Sequence, residues 1–471
     1  MSTDETAVAR QAQAEHSSDD ERSAESVIGR VCAFSLERAP EAMPQSARET
    51  AARLLLDTLG IGAAAAPMEA GRIARETARL LYGTAEPAYA ARMLFDGRTA
   101  SVAGAAYAAA TQIDNLDGHD GYNPTKGHIG VAVVPALVAL AQHRPDLSGP
   151  EALAALIVGY EVAGRAGIAL HATVSDYHTS GAWNALGVAA LAARLRGLDA
   201  RTLREALGIA EYHGPRSQMM REIAHPTMLH DGSGWGALAG VSAAILAERG
   251  SSGAPALTIE GSEVVEHWAD LGRFWQIEHQ YVKPYPVCRW AHPAIDAARE
   301  LRAAHGVEPA QITGVRVHTF ANAARLFARM PETTSQAQYS LPFAVACMLV
   351  HGRIGLEQIA GAALADRRVE AIVARTTVAE AHRHERRFPA GRWADVELLL
   401  DDGRALRSGD TEARGGPSRP FDTDAVVAKF TELAAPVLGE RRARALREAT
   451  LGLVDPSSRF ADLSTHLLEA P

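Results

Sequence analysis

The stretch TQIDNLDGHDGYNPTKGHIGVAVVPALVALAQ, residues 111–142, decides how the rest of the chain is interpreted. It places aspartates and histidines, among them Asp114, His119 and His128, around a turn that contains glycines and Asn-Pro. A run of small apolar residues follows, which predicts a buried helix. Acids and bases at the start of such a helix indicate the edge of a dry pocket. The alternative is a solvated turn that ends one helix and caps the next.

The same order, a polar loop followed by a glycine-rich helix, occurs twice more along the chain. VSDYHTSG, with His178, precedes GAWNALGVAALAARL, and AHPTMLHDG, with His225, His230 and Asp231, precedes SGWGALAGVSAAIL. Helix N-termini carry free N–H groups and a partial positive charge. Three such helix starts directed at one place would hold an anion.

Composition favours a large, mainly helical protein. The 471 residues exceed one ordinary core, so two domains or one helical domain with an insertion are expected. Alanine is the most abundant residue and only 6% are aromatic, which favours closely packed helices. A formal charge of −9 argues against nucleic acid as a partner.

Several segments bear on location and redox state. Residues 1–25 are polar and acidic without an apolar core, so we expect a flexible N-terminal arm and no signal peptide. No segment reaches the roughly 18 uninterrupted apolar residues of a membrane span, so a cytoplasmic protein without a membrane partner is expected. Cys32, Cys288 and Cys347 lie far apart and predict reduced thiols.

The helical and strand patterns divide the chain into three further regions. Residues 26–278 predict a large all-helical domain, in which Pro44 starts the second helix and Gly60 and Gly62 end it. Residues 279–403 predict an α+β lid, with a strand in ITGVRVHTF and a hairpin in RWADVELLLDDGRALRS closed on Asp-Gly. Residues 404–471 return to helix. The predicted fold is therefore mainly α with an inserted α+β lid domain.

Candidate chemistry is carried by His128, His178 and the segment KPYPVCRWAH, which contains Lys283, Arg289 and His292. Histidine exchanges a proton near neutral pH. Lysine and arginine neutralise a carboxylate or a developing enolate charge. Together these residues predict proton abstraction α to a carboxylate, although each of them alone has an ordinary structural alternative.

Metal and nucleotide motifs do not fit. Asp114, Asp117, His119 and Asp120 lie close in sequence, but they lack the spacing of an EF-hand, and no His-Glu-x-x-His occurs. GSGWGALAG is neither preceded by a strand nor followed by Gly-Lys-Ser/Thr. No Gly-x-Ser-x-Gly elbow with suitable partners is present. We therefore predict no metal and no cofactor.

Several motifs together resemble the MmgE/PrpD family, which includes 2-methylcitrate dehydratase, cis-aconitate decarboxylase and iminodisuccinate epimerase. They are the loop before VAVVPALVALA, GYEVAGR, MLHDG, VKPYPVCRWAHPAID, YSLPFAVACMLVHG and PSRPFD, in this order. The resemblance implies a helical domain built from both chain ends, an α/β lid, a site in the cleft between them, and a homodimer without metal. It implies catalytic roles for Asp114, His128, His178 and Lys283.

Two departures from the family pattern concern substrate binding. Gly118 stands where many members have threonine, and Thr227 stands where the family has a lysine. The resemblance places both in the substrate-binding set, which is completed by His225, His230, Arg289 and His292. Loss of the lysine implies a substrate with fewer negative charges, or replacement of the cation by Arg216, Arg221 or His225.

The expected function is a metal-independent lyase that removes a proton α to a carboxylate of a small polar acid. The expected reaction is a dehydration. An epimerase or isomerase and a decarboxylase use the same carbanion, so they remain alternatives. From another class, a noncatalytic helical dimer that binds acidic metabolites is also compatible with the sequence.

Overall fold

A computed structural model describes residues 26–471, and the predicted flexible arm, residues 1–25, lies outside them. The N-terminal part is built of helices because its apolar residues recur at three- and four-residue steps. These helices are α1 (Val27–Glu37), α2 (Gln45–Ala65), α3 (Glu69–Leu81), α4 (Val102–Asp114), α5 (Gly130–Leu140), α6 (Gly149–Thr173), α7 (Gly181–Arg196), α8 (Ala200–His213), α9 (Met219–Ala224), α10 (Ser233–Glu248) and α11 (Leu257–Glu260).

The centre of this part is a layer of small-residue helices. Every residue of α5 is buried, as the apolar run in the sequence predicts. α5 packs on α4 and α7, and α7 packs in turn on α6 and α10. α6 is the one described helix that is long and apolar enough to cross a bilayer. Within the fold, 94% of that apolar window is buried, which is the environment of a core helix.

Two pairs of short strands accompany the helices. β1 (Ala90–Arg92) and β2 (Thr99–Ser101) form a small antiparallel pair beside α4. β3 (Gly121–Tyr122) pairs with β4 (Gln280–Tyr281), so that Gly121 lies opposite Tyr281. This second pair joins the segment between α4 and α5 to a segment more than 150 residues later.

The C-terminal part contains a five-stranded sheet covered by helices. In the sheet the strand order is β6-β5-β7-β8, with β9 also on β7; only the β5–β6 pair is parallel. α12 packs on β7 and on α15. The elements are α12 (His292–His305), β5 (Ile312–Thr319), α13 (Ala321–Ala324), α14 (Thr334–Gln338), α15 (Leu341–His351), α16 (Leu356–Ile359), α17 (Arg367–Val373), β6 (Thr376–Glu380), α18 (His382–Glu385), β7 (Trp393–Leu400), β8 (Ala405–Arg407) and β9 (Thr411–Glu412).

The end of the chain returns to the helical part through α19 (Thr423–Leu438), α20 (Glu440–Leu451) and α21 (Phe460–Leu467). α19 packs on α2. The molecule is therefore mainly α, with a small sheet region in its C-terminal part, as the sequence predicts. The strand at ITGVRVHTF and the hairpin between β7 and β8 are confirmed. The domain boundaries at residues 278 and 403 stay predictions.

One helix end was predicted wrongly. α2 does not stop at Gly60 or Gly62 but continues to Ala65. A Cβ at position 60 would lie 2.9 Å from Cδ2 of Phe430, so this glycine admits the ring of α19 instead of ending a helix. The three cysteines are buried and unpaired, as predicted.

Candidate active site

The segment between α4 and α5, residues 115–129, is buried along almost its whole length. After α4 the chain turns at Asp117, whose φ of 53° lies in the left-handed region. That conformation is unusual for a residue with a side chain and is concentrated at functional sites. At Gly121 a Cβ would lie 2.3 Å from the hydroxyl oxygen of Tyr281. The loop and β4 therefore approach closely because this residue has no side chain.

Lys283 follows β4 and forms an ion pair with this loop. Its ammonium group donates to the main-chain oxygen of Asp117 at 3.0 Å and to the Asp117 carboxylate. The two side chains are only 1% and 4% exposed. Burial opposes the charge on Lys283, but the Asp117 carboxylate outweighs burial and raises the pKa of the lysine. Burial raises the pKa of Asp117 to about 6, against the effect of the ammonium, so the pair is ionised at neutral pH.

The geometry around His128 defines which ring nitrogen is basic. Nδ1 lies 2.6 Å from the main-chain oxygen of Asp120. A carbonyl oxygen only accepts, so Nδ1 carries the proton and Nε2 is the basic atom of the neutral ring. Nε2 faces Oδ2 of Asp231 at 3.4 Å. A proton taken up at Nε2 therefore creates an imidazolium beside a carboxylate.

Asp231 also links the three polar loops that precede glycine-rich helices. Its Oδ1 accepts from the main-chain N–H of Ser180 at 3.1 Å and from the Ser180 hydroxyl at 2.9 Å. The hydroxyl oxygen of Ser180 in turn accepts from the main-chain N–H of His128 at 2.9 Å. The loops before α5, α7 and α10 thus meet at one point, and the position of His128 depends on all of them.

A second imidazole lies against the first. The ring centroids of His119 and His128 are 4.5 Å apart. Nε2 of His119 lies 3.7 Å from Oδ1 of Asp114, whose Oδ2 accepts from the main-chain N–H of Ser233 at 3.1 Å. Neither ring nitrogen of His119 has a hydrogen-bond partner among the described residues. This side chain is therefore a buried polar group free to meet a ligand.

The preceding contacts define a buried cluster, whose members are Asp114, Asp117, His119, His128, Asp231 and Lys283. Burial, with the charge of Lys283 as a further cause, lowers the pKa of His128 well below its usual value. Burial and the neighbouring Asp231 raise the pKa of Asp114 well above that of an exposed aspartate. The cluster thus combines neutral imidazoles with a carboxyl group that retains its proton unusually well. Such a combination serves proton transfer in both directions.

Three members of the buried cluster also have the distances of a metal site. Donor atoms of Asp117, His119 and His128 all lie within 4.8 Å of one another. The ammonium of Lys283 binds Asp117, however, and Nδ1 of His128 donates to a carbonyl oxygen. A cation would meet the lysine charge directly, so this donor set fits a cation poorly. That no metal and no cofactor take part stays a prediction.

Comparison with known proteins agrees with this architecture. The family models of the MmgE/PrpD N-terminal and C-terminal domains match residues 29–272 and 285–453. The chain belongs to the MmgE/PrpD family. Cis-aconitate decarboxylase of Aspergillus terreus is 24% identical over 500 residues, covering 94% of this chain and 96% of the relative. Cis-aconitate decarboxylase of Homo sapiens is 24% identical over 464 residues, covering 89% of each chain. This similarity indicates an enzyme of the lyase type.

Of the catalytic residues predicted through the MmgE/PrpD resemblance, Asp114, His128 and Lys283 belong to the buried cluster, whereas His178 does not take part in its contacts. The main-chain N–H of His178 donates to Nε2 of His171 at 3.3 Å. Its half-buried ring forms no hydrogen bond or ion pair with the buried cluster within residues 26–471. The catalytic role of His178 stays a prediction.

Three residues of the predicted substrate-binding set are held by main-chain contacts. Arg289 donates to the main-chain oxygens of residues 414 and 413 at 2.6 and 3.2 Å and stacks on Tyr281. His292 Nε2 lies 2.9 Å from the oxygen of Val287. The oxygen of Gly118 accepts from Lys429 at 2.7 Å. These contacts support the walls of the site, and direct substrate contact by these residues stays a prediction.

The remaining predicted residues lie in the loop before α10, where two are exposed and one is buried. His225 and Thr227 are exposed, and Thr227 lines a cavity of about 650 Å³ between the helical and C-terminal parts. Asn115, which follows Asp114 of the buried cluster in the chain, is one of the residues that line this cavity. His230 is buried, has φ of 44°, and forms no hydrogen bond at either ring nitrogen among the described residues. Burial lowers the pKa of His230 to about 4, so it is a third neutral imidazole.

Sequence reasoning missed the partners of the catalytic groups. Asp117 and His119 belong to the quoted loop, and Asp231 to the Asp-Gly before α10, but aspartate next to glycine is also the ordinary composition of a turn. Glu222 and Tyr339, joined by a hydrogen bond from the phenol to the carboxylate, gave no motif at all. Their sequence context gives no signal, because Glu222 lies next to Arg221 in the short helix MMREIA, a pattern that is equally typical of an exposed helix turn.

Proposed function

We propose that this MmgE/PrpD protein is a lyase that removes a proton α to a carboxylate of a small hydroxy acid and expels water. The observation that carries the proposal is the state of His128: Nδ1 is fixed as a donor, and the basic Nε2 faces Asp231 inside a buried cluster. A base of this kind, beside a single ammonium group, suits a carbon acid activated by a carboxylate.

In the proposed reaction Lys283 binds the substrate carboxylate and the negative charge that develops on it. Nε2 of His128 takes the proton from the α-carbon, and Asp231 stabilises the resulting imidazolium. The electron pair of the broken C–H bond forms the new double bond. The hydroxyl on the β-carbon leaves with a proton from the carboxyl group of Asp114, as water. A β-hydroxy acid thus becomes an unsaturated acid and water.

Substrate entry is expected from the cavity of about 650 Å³. Its wall at Asn115 is fastened by the side chain of Gln338, which donates to the Asn115 oxygen at 2.9 Å. Opening this contact between the helical and C-terminal parts would expose the buried cluster to the cavity. Closing it again would exclude water from the charged intermediate.

A second reaction, decarboxylation, is favoured by the names of the relatives. Loss of carbon dioxide from an acid leaves the same type of stabilised carbanion, which would then receive its proton from the carboxyl group of Asp114. An epimerase would return the proton to the opposite face of the carbon. The three reactions use the same groups and differ in the fate of the carbanion.

The test is incubation of the full chain with hydroxy, unsaturated and amino acids in deuterated buffer, followed by NMR. Deuterium at the α-carbon together with water loss or addition supports the dehydratase, and bicarbonate production supports the decarboxylase. Inversion without loss of a group supports the epimerase. If acids bind, as shown by a higher melting temperature, but neither exchange nor react, the protein is a noncatalytic binder and the proposal is wrong.

A further inference from the structure

The surroundings of the buried cluster are unusually acidic. Glu222 of α9 is 8% exposed, and one of its carboxylate oxygens accepts from the hydroxyl of Tyr339. The other oxygen, Oε2, is buried without a hydrogen-bond partner among the described residues. Burial, then the carboxylates of Asp231, Asp114 and Asp117, raise the pKa of Glu222. The ring of Tyr339, which donates to Glu222, lies 5.6 Å from the ring of His230, the neighbour of Asp231 in the chain, so Glu222 lies near the buried cluster.

The cations near these carboxyl groups are largely engaged. Lys283 is paired with an aspartate of the loop. Arg289 donates to the main-chain oxygens of residues 413 and 414, and Arg392 to those of residues 389 and 391. Both guanidinium groups also stack on aromatic rings. Lys429 donates to the Asp57 carboxylate and to the oxygen of Gly118. Lys283, the cation that contacts the buried cluster, uses two of its three N–H donors on Asp117, so its third donor is the natural partner of a substrate carboxylate.

The cavity beside the buried cluster is also lined by negatively charged side chains. Its charged lining residues are Glu69 and Glu332, and the lining described for it contains neither lysine nor arginine. Thr227 is part of this lining. A cleft lined by one sign of charge repels ligands of that sign and attracts the opposite one.

We propose that the substrate carries a single carboxylate, bound by Lys283, and a hydrogen-bond donor, hydroxyl or ammonium, that Glu222 accepts. The inference rests on the proposed function, since it concerns the same site. A second or third carboxylate would be buried among Glu222, Asp114 and Asp231 without a cation of its own, which is strongly unfavourable. Cis-aconitate, the tricarboxylate in the names of the relatives, does not meet these conditions.

Glu222 is the residue that determines this specificity. Its free oxygen accepts hydrogen bonds and, when ionised, carries negative charge. A site with a buried acceptor discriminates strongly against an analogue that lacks the donor, because the acceptor then stays unpaired.

The experiment compares 3-hydroxybutyrate, malate and citrate, which share the β-hydroxy acid unit and carry one, two and three carboxylates. Butyrate is the analogue without the donor. Binding is measured by calorimetric titration of the wild-type protein. We expect 3-hydroxybutyrate to bind at least about tenfold more tightly than malate, citrate or butyrate. Tighter binding of malate or citrate, or no measurable binding of 3-hydroxybutyrate, would overturn the inference.

Variants test the role of Glu222 separately. Glu222→Gln replaces one carboxylate oxygen with an NH2 donor and keeps the size, so the preference for 3-hydroxybutyrate over butyrate should fall about tenfold. Glu397→Gln is the matched control, since Glu397 is 7% exposed and lies on β7, in ion pairs with two arginines of the sheet. It should leave the preference unchanged. An unchanged preference in Glu222→Gln contradicts the assignment, and the wild-type ranking is informative even if that variant does not fold.

The two proposals fail in different ways. If 3-hydroxybutyrate binds with the expected preference but shows no deuterium exchange at its α-carbon, the lyase proposal is wrong and the substrate class stands. If citrate exchanges deuterium and binds most tightly, the lyase proposal stands and the inference about charge is wrong.

Discussion

The ammonium of Lys283 is bound to Asp117 through both the carboxylate and the main-chain oxygen, the latter at 3.0 Å. Asp117 itself is held in a left-handed conformation. A lysine two residues after β4 thus stabilises an unusual turn of the loop, and the turn positions the lysine charge beside the imidazoles. The loop and the predicted substrate anchor form one unit.

The first prediction separates the stability of this pair from its chemistry. Lys283→Met leaves a buried carboxylate without its partner and should lower the free energy of unfolding by about 3 kcal/mol. The additional change Asp117→Asn removes the unpaired charge and should restore part of that loss. Neither variant should recover activity, with kcat/KM at least roughly 100-fold below wild type.

Chemical denaturation and steady-state kinetics on the same samples provide the two readouts. Lys126→Met is the control, because Lys126 lies on the same loop but contacts the ring of Tyr177 rather than the buried cluster. A double variant that regains activity along with stability would assign Lys283 a purely structural role.

The second prediction compares two histidines. His128→Gln should lower kcat by roughly 100-fold or more, because it removes the base. His178→Gln should have a smaller effect, since the ring of His178 lies outside the buried cluster. Deuterium exchange into the substrate measures proton abstraction directly. A larger loss of exchange in His178→Gln would reverse the assignment and support the role that the family resemblance implies for His178.

The third prediction concerns the pH dependence of kcat/KM. Burial raises the pKa of Asp117 to about 6, and the charged groups that act on it are Lys283 and Asp231. As the pH falls through 6, the carboxylate takes up a proton and its hold on Lys283 weakens. Activity should therefore decline below an apparent pKa of about 6. Because burial lowers the pKa of His128 well below 6.5, its own protonation acts only at more acidic pH.

A pH–rate profile of wild type and Asp117→Asn distinguishes the two groups. In the variant, kcat/KM should be lower at neutral pH and should not decline as the pH falls through 6. Persistence of the same decline in the variant would assign it to another group.

The fourth prediction concerns His230, which burial keeps neutral with a pKa of about 4. The unfolded chain has a histidine of ordinary pKa, near 6.5, so between pH 6.5 and 4 the unfolded state binds the proton and the folded state does not. The stabilising contribution of His230 is thus complete above pH 6.5 and decreases as the pH falls. His230→Gln lacks this titration.

The free energy of unfolding of wild type minus that of His230→Gln should fall by up to about 1.4 kcal/mol per pH unit in this range. Denaturant titrations at several pH values measure the difference. A difference independent of pH would mean that the folded protein accommodates the protonated ring.

Local patterns were sufficient to predict several elements of this chain. The unbroken apolar run after His128 predicted a fully buried helix, and alternating residues predicted β5, because burial on one or all faces dictates those periods. Motif order predicted the MmgE/PrpD architecture and placed Asp114, His128 and Lys283 in one site. These conclusions depend on the period of apolar residues and on the order of motifs, and both can be determined from the sequence alone.

Only the tertiary structure decided which polar groups pair. The partners of His128 and Lys283 are Asp231 and Asp117, aspartates whose sequence context is that of an ordinary turn. Gly60 has the local appearance of a helix end, yet it lies inside α2 because a phenylalanine ring from the C-terminal helix packs against it. Burial, pKa and pairing arise where segments more than a hundred residues apart meet, and no local pattern contains the free energy of those contacts.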